Sequence, residues 1–176
     1  MIEYYDEVTR DDVPTGRKLT WEQAHGEGKP PHRCVAVFVL DGQGGLYVQE
    51  SKLGGNRLDH SVGGHVDSGE DYETAAYREM EEELGITGAE IKEIATGHYS
   101  DEGPRIHMFG IYTCTAPKDW VFKPNDEVET IYPMKIEDIV REMNEIGDAK
   151  YITGFMNTMQ KYLEVTKSEL KVEELV

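Results

Sequence analysis

The sequence predicts a mixed β-sheet with helices packed against it, an α/β/α or α+β arrangement. Three observations carry this. Residues 34–40 read CVAVFVL, apolar throughout and rich in β-branched side chains, the pattern of a strand buried on both faces. Residues 41–45, DGQGG, are a hairpin-turn signal, after which the chain returns as Leu46-Tyr47-Val48-Gln49. A helical segment over about residues 71–84 then separates these strands from later strand-like stretches, so helices and strands share a core.

The other elements follow in order. Residues 2–8 suit a short edge strand, and residues 20–25, TWEQAH, suit a helical turn after a polar stretch. Residues 26–31 are rich in Gly and Pro and read as loop, as do residues 52–59. Residues 61–66 form a short strand containing Gly63-Gly64. Ser68 is placed to cap the next helix, with Asp71 three residues on as its capping-box partner, and Gly85 is a natural stop. Strands are expected near residues 91–99, 106–114 and 128–133, and helices near residues 136–146 and 151–165. In the last helix Phe155, Met159 and Tyr162-Leu163 recur at helical spacing, as core-facing side chains do. Residues 166–176 mix Glu, Lys, Leu and Val and suit a C-terminal helical tail, frayed or packed on a second subunit. The expectation is one domain over residues 1–176.

At 176 residues the chain is long enough to bury a core without staples. Lys and Arg total 18 against 35 Asp and Glu, a formal net charge of −17. That balance argues against general nucleic-acid binding and against docking on an anionic membrane, both of which need clustered Lys and Arg. Anionic small molecules stay open, because a metal ion can carry positive charge between protein and substrate. Cys34 and Cys114 belong to no CxxC pattern, so neither a disulfide framework nor a Cys-based zinc site is expected, and a reduced, cytoplasmic location fits. Residues 1–7 lack the basic start and apolar run of a signal peptide, and the longest apolar run, residues 34–40, is too short to cross a bilayer as a helix.

The chemistry concentrates in residues 64–86, GHVDSGEDYETAAYREMEEELGI. Glu79, Glu82 and Glu83 stand at i, i+3 and i+4 and are neighbours on a helix. Like charges so placed cost a few tenths of a kcal/mol per exposed pair. Mg²⁺ or Mn²⁺ would cancel that repulsion, held by carboxylates together with substrate phosphate oxygens. An acidic face open to solvent is the plainer reading of such a cluster taken alone. Arg78, beside Glu79 and within reach of Glu70, would hold neighbouring carboxylates in place. Gly63 and Gly64 allow the backbone to approach an ion or phosphate closely, and Gly69 permits the turn into the helix.

Gly64, Glu70, Arg78, Glu79, Met80, Glu82, Glu83, Gly85 and Ile86 match the Nudix box in full: G, five residues, E, seven residues, then R-E-aliphatic-x-E-E-x-G-aliphatic. A chance match in a chain of this length is roughly one in a million or rarer at typical residue frequencies. The flanks His32-Arg33, Gln49 and residues 61–66 resemble a Nudix subgroup related to isopentenyl-diphosphate isomerase, and so does the opening with Tyr4-Tyr5-Asp6 and Thr15-Gly16. The resemblance runs, with decreasing specificity, from about residue 2 to about residue 140.

The resemblance implies a Nudix-type α/β/α sandwich and a Mg²⁺- or Mn²⁺-dependent hydrolase of a nucleoside di- or triphosphate or a related nucleoside diphosphate derivative. By resemblance Glu79, Glu82 and Glu83 would ligate metal, with the Gly63 carbonyl as a further ligand. Glu79 or Glu82 would position or deprotonate the attacking water, and Arg78 and Glu70 would support them. Many members use a further acidic residue outside the box; Glu127 resembles it, with Glu102 as a weaker competitor and an ordinary loop carboxylate as the plain alternative. His65 matches a metal-binding histidine of the isomerase, whereas His32, His60, His98 and His107 follow no pattern and read as structural or surface residues. Gly63 stands where the isomerase has its catalytic Cys, the isomerase's paired glutamates have no counterpart near Arg105-Ile106-His107, and Glu50-Ser51 follow Gln49 where the subgroup often has Arg. Lys52, Arg57, Arg105 and Lys123 are candidate substitutes for that phosphate contact. Tyr47, Tyr99, Phe109, Trp120 and Phe122 are candidates to stack on a base, or core residues. The competing readings are an isomerase of isopentenyl diphosphate and a catalytically silent nucleotide-binding domain. A homodimer is common among the relatives.

Overall fold

A computed structural model of the chain describes residues 3–52, 54–116 and 120–173. The strands are β1 (Tyr5–Val8), β2 (Pro14–Leu19), β3 (His32–Leu40), β4 (Gly45–Ser51), β5 (Arg57–Asp59), β6 (Val62–His65), β7 (Lys92–Asp101), β8 (Ile106–Thr115) and β9 (Val128–Lys135). The helices are α1 (Trp21–Ala24), α2 (Tyr72–Leu84), α3 (Ile136–Glu145) and α4 (Thr153–Glu173), with a 3₁₀ turn at Gly147–Ala149 between the last two.

The apolar run becomes the central strand. β3 pairs in parallel with β8 along its length, from His32↔His107 to Leu40↔Thr115, and antiparallel with β6 from Cys34↔His65 to Val37↔Val62. The hairpin is present: β4 returns antiparallel to β3 and pairs with β5 and β9. Because side chains alternate along a strand, β3 feeds two cores. Val35, Val37 and Val39 pack with Ala75, Ala76, Met80 and Leu84 of α2. Cys34, Ala36 and Phe38 pack with Ile139 of α3 and with Phe155, Met159 and Tyr162 of α4. The result is the α/β/α sandwich, with α2 on one face and α3 and α4 on the other.

Several local expectations are corrected. Ser68 does not cap α2. Asp71 does, its side chain accepting from the Thr74 N–H at 2.8 Å, while the Ser68 hydroxyl donates to Asp6 at 2.7 Å. Residues after Val8 include a strand, β2, in which only Leu19 is buried, so its composition carries no apolar signal. β5 emerges from the expected loop at residues 52–59 because it borrows pairing from β4. The final helix is continuous with the expected helical tail, running unbroken to Glu173. Ile2, the expected start of the first strand, and residues 174–176 of the expected tail lie outside the described residues. Gly85 ends α2 as expected, at φ 68°, its N–H bonding back to Glu81 and Met80 carbonyls.

Candidate active site

The box folds as strand, turn and helix. β6 carries Gly63 and Gly64, Gly69 makes the turn at φ 86°, and α2 aims its carboxylates back at the strand. Glu83 is buried, with 4% of its surface exposed, and is held by two donors: Gln49 Nε2 at 3.1 Å and the Gly63 N–H at 3.3 Å. Glu79 lies over Gly64, so close that a methyl group on that glycine would overlap its carboxylate. The third box carboxylate, Glu82, is 56% exposed and reaches Arg78 Nη1 at 3.3 Å.

Arg78 organises the cluster. It donates to both Glu70 oxygens, at 3.1 and 2.8 Å, to Glu79 at 2.8 Å and to the His65 carbonyl at 2.8 Å. One planar guanidinium thus fixes the turn, the helix and the strand in a single geometry. Glu70 in turn accepts from the Asp67 N–H at 3.1 Å.

Even so, the carboxylates are uneasy neighbours. Burial raises the Glu79 pKa to about 7; Arg78 opposes the shift, while the charges of Glu82 and Glu127 add to it. Burial and then the Glu79 charge push Glu83 well above the usual carboxylate range. Buried acids that resist ionising are stabilised as anions by a cation, and an all-oxygen donor set suits a hard one. Glu127 lies exposed just before β9, its N–H on Asn125 Oδ1 at 2.9 Å, and it acts on Glu79 through charge. Glu102 is not brought to this cluster. It accepts from His107 Nδ1 at 2.8 Å and from Ser100.

Of the substitute cations, Lys52 is nearest in context, donating to the Asp126 carbonyl at 3.0 Å beside Glu127. Arg57 is engaged with the Gly54 carbonyl, and Lys123 packs where a side chain at Gly85 would go. Tyr47 and Phe122 meet edge-on at 4.7 Å and, with Trp120, lie against the α2-side core. Phe109 is buried on the other face, and Tyr99 lies under Arg10.

The histidines correct the sequence reading most. His65 does not stand alone: His25, His32, His65 and His107 offer ligand atoms within 4.8 Å of one another. His32 and His107 are therefore not isolated structural residues, and His25, not singled out from sequence, completes the group. No sequence motif links these four positions. Burial, followed by the neighbouring imidazoles, lowers His32 to about 3 and His65 well below the ordinary value. For His107 burial also lowers the pKa, but Cys34 and Glu102 outweigh it and push His107 up to about 10. His60, by contrast, is a structural tie between Asp59 at 2.7 Å and Thr158 at 2.6 Å.

The family model for the NUDIX domain matches residues 30–155. The chain belongs to the Nudix superfamily. It is 34% identical over 146 residues to an uncharacterised Nudix hydrolase of Yersinia pestis, covering 78% of this chain and 79% of that one. It is also 34% identical over 168 residues to an isopentenyl-diphosphate Δ-isomerase of Streptomyces griseus, covering 87% of this chain and 80% of the relative. Among solved structures, a Deinococcus radiodurans protein superposes with a TM-score of 0.66 at 23% identity, over 82% of this chain and 90% of that one, which shows the shared fold. Nudix hydrolases generally use divalent metals, and the oxygen donors gathered around Gly63 and Gly64 suit one.

Proposed function

We propose that this Nudix protein hydrolyses a phosphoanhydride bond in a nucleoside di- or triphosphate or a related nucleoside diphosphate derivative, with Mg²⁺ or Mn²⁺. The supporting observation is the pair Glu79 and Glu83, the first partly and the second fully buried, both reluctant to ionise beside a glycine strand that leaves room at their carboxylates. Glu79, Glu82, Glu83 and the Gly63 carbonyl would hold the cation. When bound, it would neutralise phosphate charge and make water a better nucleophile.

The chain's own residues would do the rest. Glu127, or Glu82, would accept the proton from the attacking water, and the bridging oxygen would leave with its phosphate. Arg78 and Glu70 would keep Glu79 aimed at the reacting centre, since phosphoryl transfer asks chiefly for positioning and charge stabilisation. We place a base near Tyr47, Trp120 and Phe122, because the segment carrying the last two runs beside α2: Lys123 N–H donates to the Leu84 carbonyl and Asn125 N–H to the Glu83 carbonyl. The free, buried thiols of Cys34 and Cys114 favour a reducing compartment such as the cytoplasm.

The Streptomyces relative favours a second reading, isomerisation of isopentenyl diphosphate. Gly63 has no side chain to act as acid or nucleophile, which weighs against it. Both readings face one experiment: a pooled panel of nucleoside di- and triphosphates, dinucleoside polyphosphates, nucleotide sugars and isopentenyl diphosphate, with Mg²⁺, read by mass, and with Glu79→Gln as control. Hydrolysis by the wild type alone supports the proposal. Conversion of isopentenyl diphosphate to its allylic isomer replaces it, and binding without turnover points to a silent domain.

A further inference from the structure

We infer that Lys52 is a positioning residue for the proposed hydrolysis: it latches the turn carrying Glu127 to the end of β4 and so keeps that carboxylate facing the box. The inference rests on the hydrolase reading and decides within it, giving the proton of the attacking water to Glu127 rather than to Glu82.

Lys52 lies just past β4 and holds the turn at three points. Its Nζ donates to the Asp126 carbonyl at 3.0 Å, its backbone N–H donates to the Glu127 carbonyl at 3.2 Å, and its ammonium pairs with Glu129 Oε2 at 3.5 Å. The other end of the turn is pinned to α2. Asn125 N–H donates to the Glu83 carbonyl at 3.0 Å, and Asn125 Oδ1 accepts from the Glu127 N–H at 2.9 Å. Val128, the next residue, is buried in the core on the α2 side. The turn therefore bridges the last turn of α2 and the end of β4, and Lys52 makes the second anchorage.

Sheet register explains why Lys52 meets Glu129. β4 pairs with β9 at Glu50↔Thr130 and next at Ser51↔Val128, so Glu129 is skipped. Such a bulge leaves one residue out of the ladder and re-aims its side chain. The Glu129 carboxylate is turned to Lys52. The ammonium of Lys52 is thereby committed to the turn, on Asp126 and Glu129, and not to a substrate phosphate.

The group left free is the Glu127 side chain. Both of its backbone groups are engaged, its carboxylate has no hydrogen bond or ion pair among the described residues, and its charge acts on Glu79. A carboxylate so held takes a proton without giving up another contact. Glu82 is placed otherwise, with one oxygen already accepting from Arg78 Nη1. In the step itself the water oxygen bonds phosphorus as its proton passes to Glu127, and the bridging oxygen leaves with the electron pair of its broken bond and its phosphate. Lys52 and Glu129 are 46% and 51% exposed, and an ion pair so open to water contributes little to stability. Its loss falls on rate instead, because a base displaced by an ångström can cost about 100-fold.

The test compares the wild type with Lys52→Met, Lys52→Arg, Glu127→Gln and the double variant, on the panel of nucleoside di- and triphosphates with Mg²⁺. Lys52→Met should lower kcat by about tenfold with KM unchanged, a partial loss because the backbone N–H of residue 52 still holds the turn. Lys52→Arg should regain most of it, since a guanidinium can reach both the Asp126 carbonyl and Glu129. Glu127→Gln should lower kcat by about 100-fold or more, and the double variant should be no slower, because a latch then has no base to hold. Amide hydrogen exchange over residues 125–129 should quicken in Lys52→Met while the thermal midpoint stays near that of the wild type. Wild-type kcat in Lys52→Met or in Glu127→Gln, a rise in KM alone, or a further full loss in the double variant would each overturn the inference while activity lost in Glu79→Gln keeps the hydrolase reading. A wild type silent on the whole panel overturns both.

Discussion

Gly64 and Glu79 share one space: the carboxylate of Glu79 occupies the position a side chain on Gly64 would need. The glycine of the box therefore acts through what it leaves out. Its missing Cβ lets a helix carboxylate approach a strand backbone, and the Arg78 guanidinium locks that approach from the other side at 2.8 Å.

Gly64→Ala should consequently displace Glu79 while leaving the fold. Misplacing a catalytic group by an ångström can cost about 100-fold in rate, and that is the loss expected in turnover of whichever panel substrate is hydrolysed. Far-UV circular dichroism should be unchanged. Wild-type turnover in the variant would remove Glu79 from the reaction.

Without metal, Glu79 should contribute a loss of stability as pH rises through the range set by its shift. Its ordinary value is 4.5 and burial lifts it to about 7 in the folded state. Between those values the folded state holds a proton that the unfolded chain has lost, so stability falls with rising pH across that window and levels off above it. The loss is at most about 3 kcal/mol, from the size of the shift. Urea melts in chelator at a series of pH values measure it. The difference in slope between wild type and Glu79→Gln isolates this contribution from those of Glu83, His32 and His65, and identical slopes in the two proteins would show that Glu79 does not hold the proton.

Gly85→Ala should lower stability without touching chemistry. The residue closes α2 at φ 68°, and an alanine there costs about 1–2 kcal/mol. A methyl group would also lie 3.2 Å from Lys123 Cβ. Thermal melts should show a drop of several degrees with kcat per folded molecule retained, and Gly85→Asn should recover part of the loss because Asn tolerates this conformation.

The box was legible because its geometry is local. Glu79, Glu82 and Glu83 meet through helical spacing, Arg78 and Glu70 through one turn, and Gly85 through its cap, all of which a sequence window contains. The sandwich was legible from residues 34–40, whose unbroken apolar run requires cover on both faces. β2 was not, because five of its six residues are exposed and its pairing with β1 supplies what its composition lacks. The histidine group was hidden for a related reason: His32 meets His107 only through the parallel register of β3 with β8, which depends on the whole sheet. Glu102, weighed as a further acidic residue outside the box, stands in the turn between β7 and β8 and meets His107 within that hairpin.

Arg78→Lys should separate positioning from charge. Lysine keeps the positive charge but cannot bond Glu70 through two nitrogens while also holding Glu79 and the His65 carbonyl. The side chain of Arg78 is 27% exposed, so the loss of ion pairing in stability should stay within about 1–2 kcal/mol. Turnover should fall further, by about tenfold to 100-fold, because Glu79 loses the contact that aims it. The fall should appear in kcat more than in KM, since Arg78 is engaged with protein groups on every side. Full recovery of kcat at high Mg²⁺ would show that Arg78 serves only to hold the cation's ligands, and a rise in KM alone would place it on the substrate instead.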